Sequence, residues 1–155
     1  MSLYVYQTQL GRIGIEEQHD SITEVYFDNE PLPESVDIMA TALTDEAARQ
    51  LNAYLVGTLK TFSLPLAPSG TVFQKKVWHT LCDIPYGQTA SYKDIAIAAD
   101  NPKAVRAVGQ ANNKNPIPIF IPCHRVIGAD GKLVGYSGGL AIKECLLMIE
   151  RQNTP

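Results

Sequence analysis

The sequence is short of several things, and each shortage excludes a class of protein. It has three cysteines in 155 residues: Cys82, Cys123 and Cys145. An odd, sparse set does not build a disulfide framework, so the thiols are expected to be free, in a reducing compartment. No apolar run approaches the roughly 20 residues of a membrane-spanning helix, which argues against a membrane partner. The opening Met1-Ser2-Leu3-Tyr4-Val5-Tyr6 lacks the basic region and long apolar stretch of a secretory signal. Cys123 and His124 have no partners at zinc spacing, and His19 and His79 stand far away without motif context, so no metal site is expected. There is no internal repeat and no low-complexity tract. Net positive charge is also missing, at −3 overall. That figure hides an asymmetry. Residues 1–70 carry three basic and ten acidic side chains, and residues 71–155 carry ten basic and six acidic, so a negative half precedes a positive one. A local basic surface bears on phosphate binding more than the whole-chain balance does.

The residues that are present divide the chain in two. Leu3–Gln9, Arg12–Glu17 and Ser21–Phe27 read as strands, rich in Tyr, Val, Ile and Thr and broken at Leu10-Gly11 and His19-Asp20. Thr44-Asp45-Glu46 reads as a helix start, with Ala47, Leu51, Tyr54 and Leu55 on the apolar face. Leu64–Gly70 reads as a linker. Beyond it the pattern is mostly helical. Thr71 caps a helix with Phe73, Val77, Trp78 and Leu81 on one face, and Ile84-Pro85-Tyr86-Gly87 ends it. Ser91 caps a short helix, with Asp94 at a capping-box position. Asn101-Pro102 then starts a helix running to about Asn113. Pro116, Pro118 and Pro122 hold the next segment extended. A last helix begins at Leu140, with Leu140, Cys145, Leu146 and Ile149 facing inward. The expected fold class is therefore α+β. A small N-terminal strand-and-helix half (1–68, supporting) packs on a mostly helical C-terminal domain (69–155) that contains a helix-turn-helix-like element and Cys123.

Three constellations carry chemistry. Helices 91–99 and 102–113 have the outline of a helix-turn-helix. The second presents Lys103, Arg106, Gln110, Asn112 and Asn113 among the small residues Ala104, Ala107, Gly109 and Ala111. By itself the segment reads more readily as a plain αα-hairpin of a helical core, where Ala and Gly permit tight packing. Cys123 stands beside His124 and Arg125, whose charges favour a thiolate. In an extended segment adjacent side chains point to opposite faces, so a bridging water is the simplest link from imidazole to sulfur. Gly135-Tyr136-Ser137-Gly138-Gly139 allows close approach of a ligand, and Glu144, near the start of the last helix, is the carboxylate expected to orient His124.

Taken in order, these residues resemble one family, the O6-alkylguanine-DNA alkyltransferases, or methylated-DNA–protein-cysteine methyltransferases. The matching text runs from Ile84-Pro85-Tyr86-Gly87 and Ser91-Tyr92, through Asn101-Pro102-Lys103-Ala104-Val105-Arg106-Ala107-Val108-Gly109 and Asn115-Pro116-Ile117-Pro118, to Pro122-Cys123-His124-Arg125-Val126 and Gly135-Tyr136-Ser137-Gly138-Gly139-Leu140 with Lys143-Glu144. It covers about residues 71–150.

The resemblance implies DNA repair by stoichiometric, irreversible transfer of an alkyl group from O6-alkylguanine, with O4-alkylthymine a second candidate, to Cys123. It implies that the nucleotide is flipped out through the minor groove. Arg106 would fill the vacated stack, and Lys103, Ala107, Gln110 and Arg125 would contact DNA. His124 would be the water-mediated base, oriented by Glu144, with Asn115 organising the network. Tyr92 and the backbone N–H of Ser137 would relieve charge on the leaving base. The carbonyls of Cys123 and Val126 would accept the guanine amino group, and Tyr136 and Gly138 would line the pocket. No cofactor is implied. The expected partner is double-stranded DNA containing O6-alkylguanine, the expected state a monomer, and the expected location the cytoplasm, on the nucleoid when bound to DNA (or the nucleus of a eukaryote).

Two departures stand out. Cys145 occupies a usual tryptophan position, and Asn112-Asn113-Lys114 stands where arginine is frequent. A lesion-flagging relative without catalysis, a cysteine hydrolase and a helix-turn-helix regulator are the alternatives. The presence of Cys123 argues against the first of these.

Overall fold

The computed structural model describes residues Met1–Pro155 and separates into two compact units, Met1–Pro68 and Ser69–Pro155. In the first unit, strands β1 (Ser2–Thr8), β2 (Gly11–Gln18) and β3 (Ser21–Tyr26) form an antiparallel meander. His19 and Asp20 make the second hairpin turn with φ of 52° and 62°. Two successive residues in the left-handed region give a two-residue turn whose twist matches that of the flanking strands. A two-residue strand β4 (Asp37–Ile38) pairs parallel to β1, giving the order β3-β2-β1-β4. Helix α1 (Ala42–Leu55) packs on this sheet, and Leu3, Ile13, Ile15, Ile22, Leu51 and Tyr54 are completely buried between them. The helix begins earlier than the sequence suggests. Thr41 is the N-cap, and Thr44 is the third helical residue returning the capping-box bond. A threonine satisfies either end of such a box, so the local pattern alone did not fix the start.

The second unit holds α2 (Val72–Leu81), α3 (Tyr92–Ala98), α4 (Val105–Asn113) and α5 (Leu140–Gln152). Reciprocal capping boxes start α2 (Thr71 with Gln74) and α3 (Ser91 with Asp94). Trp78 lies at the centre, 2% exposed, and its indole N–H donates to the Ala111 carbonyl at 2.8 Å, tying α2 to the end of α4. A short parallel ladder pairs β5 (Ala90–Ser91) with β6 (Val126–Ile127). That ladder brings the start of α3 beside the segment that follows Cys123.

Two expectations are corrected. The helix expected from Pro102 starts at Val105. Residues 102 and 103 sit in a turn closed by the Ala104 N–H on the Asn101 carbonyl at 3.0 Å. The segment expected to be extended up to Cys123 is coiled. Ile119 has φ of 74°, the Ile121 N–H donates to the Ile117 carbonyl at 3.0 Å, and Cys123–Arg125 forms a 3-10 turn. A left-handed β-branched residue costs about 1–3 kcal/mol. Burial of Ile117, Ile119, Phe120 and Ile121 holds it there.

Gly70 shows how tightly α2 is seated. A Cβ on it would lie 2.5 Å from the Trp78 ring and 2.7 Å from Gln74 Oε1. Gly70→Ala is therefore expected to destabilise the Ser69–Pro155 unit by about 1–3 kcal/mol, read as a lowered midpoint in chemical denaturation. An unchanged midpoint would contradict this packing.

Candidate active site

The Cys123–Arg125 turn packs against α2 and α5. Cys123 is 3% exposed and His124 has no exposed surface. Nε2 of His124 lies 2.7 Å from Oε2 of Glu150 on α5. With Nε2–H donating to the carboxylate, a neutral ring carries its lone pair on Nδ1, the atom that can take a proton. The same carboxylate accepts from Arg125, whose Nε lies 2.9 Å from Oε1 and whose Nη2 lies 3.1 Å from Oε2, and from the Gly87 N–H at 3.0 Å. Nη1 of Arg125 donates to the Ile84 carbonyl at 2.7 Å, and the guanidinium lies 5.7 Å from the centre of the Tyr86 ring.

Two assignments change accordingly. Glu144, expected to orient His124, is exposed to solvent, and Glu150 makes the contact instead. On α5 the buried stripe is Lys143, Leu146, Leu147 and Glu150, the 0, 3, 4, 7 spacing of one helical face. The sequence reading placed Leu140 and Cys145 inward, but Leu140 is 48% exposed and Cys145 is partly exposed. The spacing was available in the sequence. It was missed because two ends of the stripe are charged, and buried charges are rare unless paired. Arg125, expected on DNA, is only 8% exposed and is held by Glu150. It is a structural partner of the site.

The thiol is held by polar neighbours. Burial pushes the Cys123 thiol up to about 11, against a hydrogen bond from Asn115 and the positive charge of Lys143. Asn115 is itself fixed. Its Nδ2 donates to the Ile121 carbonyl at 2.9 Å, and its Oδ1 accepts from the Ile117 N–H at 3.0 Å. Burial lowers the pKa of His124, and the Glu150 carboxylate opposes that shift. Lys143, unmentioned as a site residue by the sequence reading, has no exposed surface and donates from Nζ to the Val134 carbonyl at 2.8 Å. Tyr92 donates to the same carbonyl at 3.2 Å, and burial together with the nearby Cys123 raises its pKa. Tyr92, Cys123 and Lys143 are thus one cluster around the loop that starts at Val134.

A groove of about 330 Å³ opens beside the cluster, lined by Tyr92, Val105, Arg106, Gly109, Asn113 and Gly135, among others. Arg106, Ala107 and Gln110 are exposed on α4, and Lys103 is exposed in the turn before it. Val108, Ala111 and Asn112 form its buried face. Gly135 has φ of 54°, and a Cβ there would meet Asn113 Oδ1 at 2.6 Å, so a larger residue would strain the backbone and displace the Asn113 side chain. Val126 is buried, Ser137 is exposed, and Tyr136 and Gly138 are half-buried in the same loop region.

Known proteins are similar to this chain in sequence and fold. The family model described as "6-O-methylguanine DNA methyltransferase, DNA binding domain" matches residues 72–152, and the one described as "6-O-methylguanine DNA methyltransferase, ribonuclease-like domain" matches residues 1–68. The chain belongs to the methylated-DNA–protein-cysteine methyltransferase family. It is 49% identical over 152 residues to the constitutive family member of Bacillus subtilis, covering 94% of this chain and 92% of that protein. It is 64% identical over 108 residues to the Methanosarcina barkeri member, covering 70% of this chain and 68% of that one. The crystal structure of Mycobacterium tuberculosis OGT in complex with DNA superposes with a TM-score of 0.93 at 39% identity, covering 100% of this chain and 96% of that one. As a methyltransferase of this family, the protein repairs DNA by direct transfer of an alkyl group to a cysteine, and its partner is DNA. No helix is long and apolar enough to cross a membrane.

Two measurements check the site. Glu150→Gln removes the carboxylate that pairs a buried guanidinium, so it is expected to cost about 3–5 kcal/mol in urea denaturation. Glu144→Gln should stay within about 0.5 kcal/mol; equal effects would restore Glu144 as the orienting residue. The thiol gives a second test. With its pKa near 11, Cys123 is protonated at neutral pH, and each unit of rising pH multiplies the thiolate about tenfold until that value. Carbamidomethylation of the Cys123 peptide by iodoacetamide should therefore keep climbing from pH 7 to 10. A plateau below pH 9 would mean that the thiol is already activated in the free protein.

Proposed function

We propose that Cys123 is the alkyl acceptor and that the substrate is O6-alkylguanine flipped out of duplex DNA, with O4-alkylthymine a slower alternative. The observation that carries this reading is the buried Cys123–His124–Glu150 series lying behind an exposed helix face that bears Arg106. A thiol enclosed in this way is reached only by a base taken out of the stack. Arg106 enters the minor groove and fills the space that the nucleotide leaves. Lys103 and Gln110 contact the backbone, and Ala107 lets the helix approach closely. The base occupies the groove beside Tyr92, with Tyr136 and Gly138 as walls and the carbonyls of Cys123 and Val126 accepting from its amino group.

The chemistry then balances. His124 takes the thiol proton through a water, and Glu150 stabilises the imidazolium that forms. Lys143 and Asn115 lower the cost of the thiolate. Sulfur attacks the alkyl carbon in line, an S–C bond forms and the C–O6 bond breaks. The electron pair stays on guanine, where a proton from Tyr92 and the N–H of Ser137 neutralise it. Soft sulfur suits an alkyl carbon, and no group in the site hydrolyses a thioether, so each molecule acts once. The reaction requires no cofactor or metal. The protein acts as a monomer in the cytoplasm, and the Met1–Pro68 unit supports the acceptor unit.

The test is peptide mass spectrometry after mixing with a duplex containing O6-methylguanine. One methyl per protein, confined to the Cys123 peptide and absent in Cys123→Ser, is the expected result. A methyl elsewhere, or repeated turnover, would overturn it. Arg106→Ala should slow transfer from duplex DNA by at least about tenfold while leaving transfer from the free base, O6-benzylguanine, within about twofold. Equal losses on both substrates would remove Arg106 from the flipping step.

A further inference from the structure

Asn112 is given no role by the reaction above. It stands in the last full turn of α4 with 2% of its surface exposed. Its Nδ2 lies 3.5 Å from the Cys123 carbonyl oxygen, at the outer limit of a hydrogen bond. Its Oδ1 is buried and has no hydrogen-bond partner. Leaving a buried acceptor unmatched is unfavourable, and a leucine of similar volume would avoid that cost. Asn115, three residues on, makes the contrast, because both ends of its amide are matched by backbone groups of the acceptor segment. The two amides flank the same peptide run. Asn115 holds the Ile121 carbonyl, and Asn112 reaches the Cys123 carbonyl. That second carbonyl already accepts from the Val126 N–H. A carbonyl oxygen has two lone pairs, and the other donor approaching this one is the Asn112 amide.

We propose that Asn112 is a specificity-determining positioning residue, whose side-chain amide directs the Cys123 carbonyl towards the 2-amino group of the flipped purine. The proposal rests on the alkyl-transfer reading, because it needs a purine in the groove. An apolar side chain would fill the volume but leave the peptide free to rotate its oxygen. A long contact at 3.5 Å aligns the dipole without saturating the acceptor, so the oxygen can still take a substrate N–H. The unmatched Oδ1 is then the cost of keeping a polar group at this position.

The experiment compares single-turnover methyl transfer from duplexes containing O6-methylguanine and O6-methylhypoxanthine, the same purine without the 2-amino group. The ratio of the two rates is taken within each protein, so it does not depend on the fraction folded. The unsubstituted protein is expected to favour the guanine substrate by about tenfold, the effect of one matched hydrogen bond in a buried site. Asn112→Leu should bring the ratio to within about twofold by slowing the guanine reaction alone. Asn112→Ser carries the same test if the leucine variant does not fold, and it should also lower the ratio. A ratio near one in the unsubstituted protein, an unchanged ratio in the variants, or equal slowing on both substrates would overturn the proposal. If the unsubstituted protein places no methyl on Cys123 from O6-methylguanine, the alkyl-transfer reading fails. If it does and the ratios agree, only the role of Asn112 fails.

Discussion

The carboxylate of Glu150 is the group on which the acceptor unit depends. It receives the imidazole of His124 and the guanidinium of Arg125 from one stretch of chain and the backbone N–H of Gly87 from another. A carboxylate with 1% exposure is far from water and is tolerable only when such donors replace its hydration. In turn it fixes the tautomer of His124 and so decides which ring nitrogen takes a proton. It also spends the charge of Arg125 on the fold. Arg125 thereby anchors the turn before α3 through the Ile84 carbonyl, and the start of α3 carries Tyr92. One carboxylate therefore ties together His124, the turn at Cys123–Arg125 and the stretch leading to Tyr92.

The thiol is kept unreactive until it is needed. Burial disfavours the thiolate more than Asn115 and Lys143 favour it, so the resting sulfur is protonated. A reagent that is consumed by one reaction gains from this arrangement, because an exposed thiolate would be lost to any electrophile. The helix face bearing Arg106 and the loop over Asn113 line the groove. Val134 links the two regions, since its carbonyl accepts from both Lys143 and Tyr92.

Much of this was legible along the chain. The three strands, the capped starts of α2 and α3, and the end of α4 at Asn113 follow from local chemistry. So does the pairing of Cys123 with His124 in one segment. Each of these signals lies within a few residues, where hydrogen bonds and periodicity are set by the backbone itself. The errors have a common cause. Pro102 suggested a helix start, but a turn intervenes. Pro116, Pro118 and Pro122 suggested extension, but buried isoleucines hold a left-handed residue among them. Glu144 and Glu150 are both carboxylates on one helix, and choosing between them needed the rotation of α5 about its axis.

The sequence by itself determined that Cys123 and His124 are adjacent, that the helix ending near Asn113 presents Arg106, and that a glycine-rich loop separates the thiol from the last helix, because these are properties of residue type and short spacing. Only the tertiary structure decided which carboxylate meets His124, that Arg125 supports the fold, that Lys143 lies near the thiol and that Asn112 reaches the Cys123 carbonyl. Those assignments depend on which face of a helix meets a segment some 20 residues or more away, or 11 residues away for Asn112. Local propensity does not encode such contacts; the burial of the core and the need to match every buried charge select them.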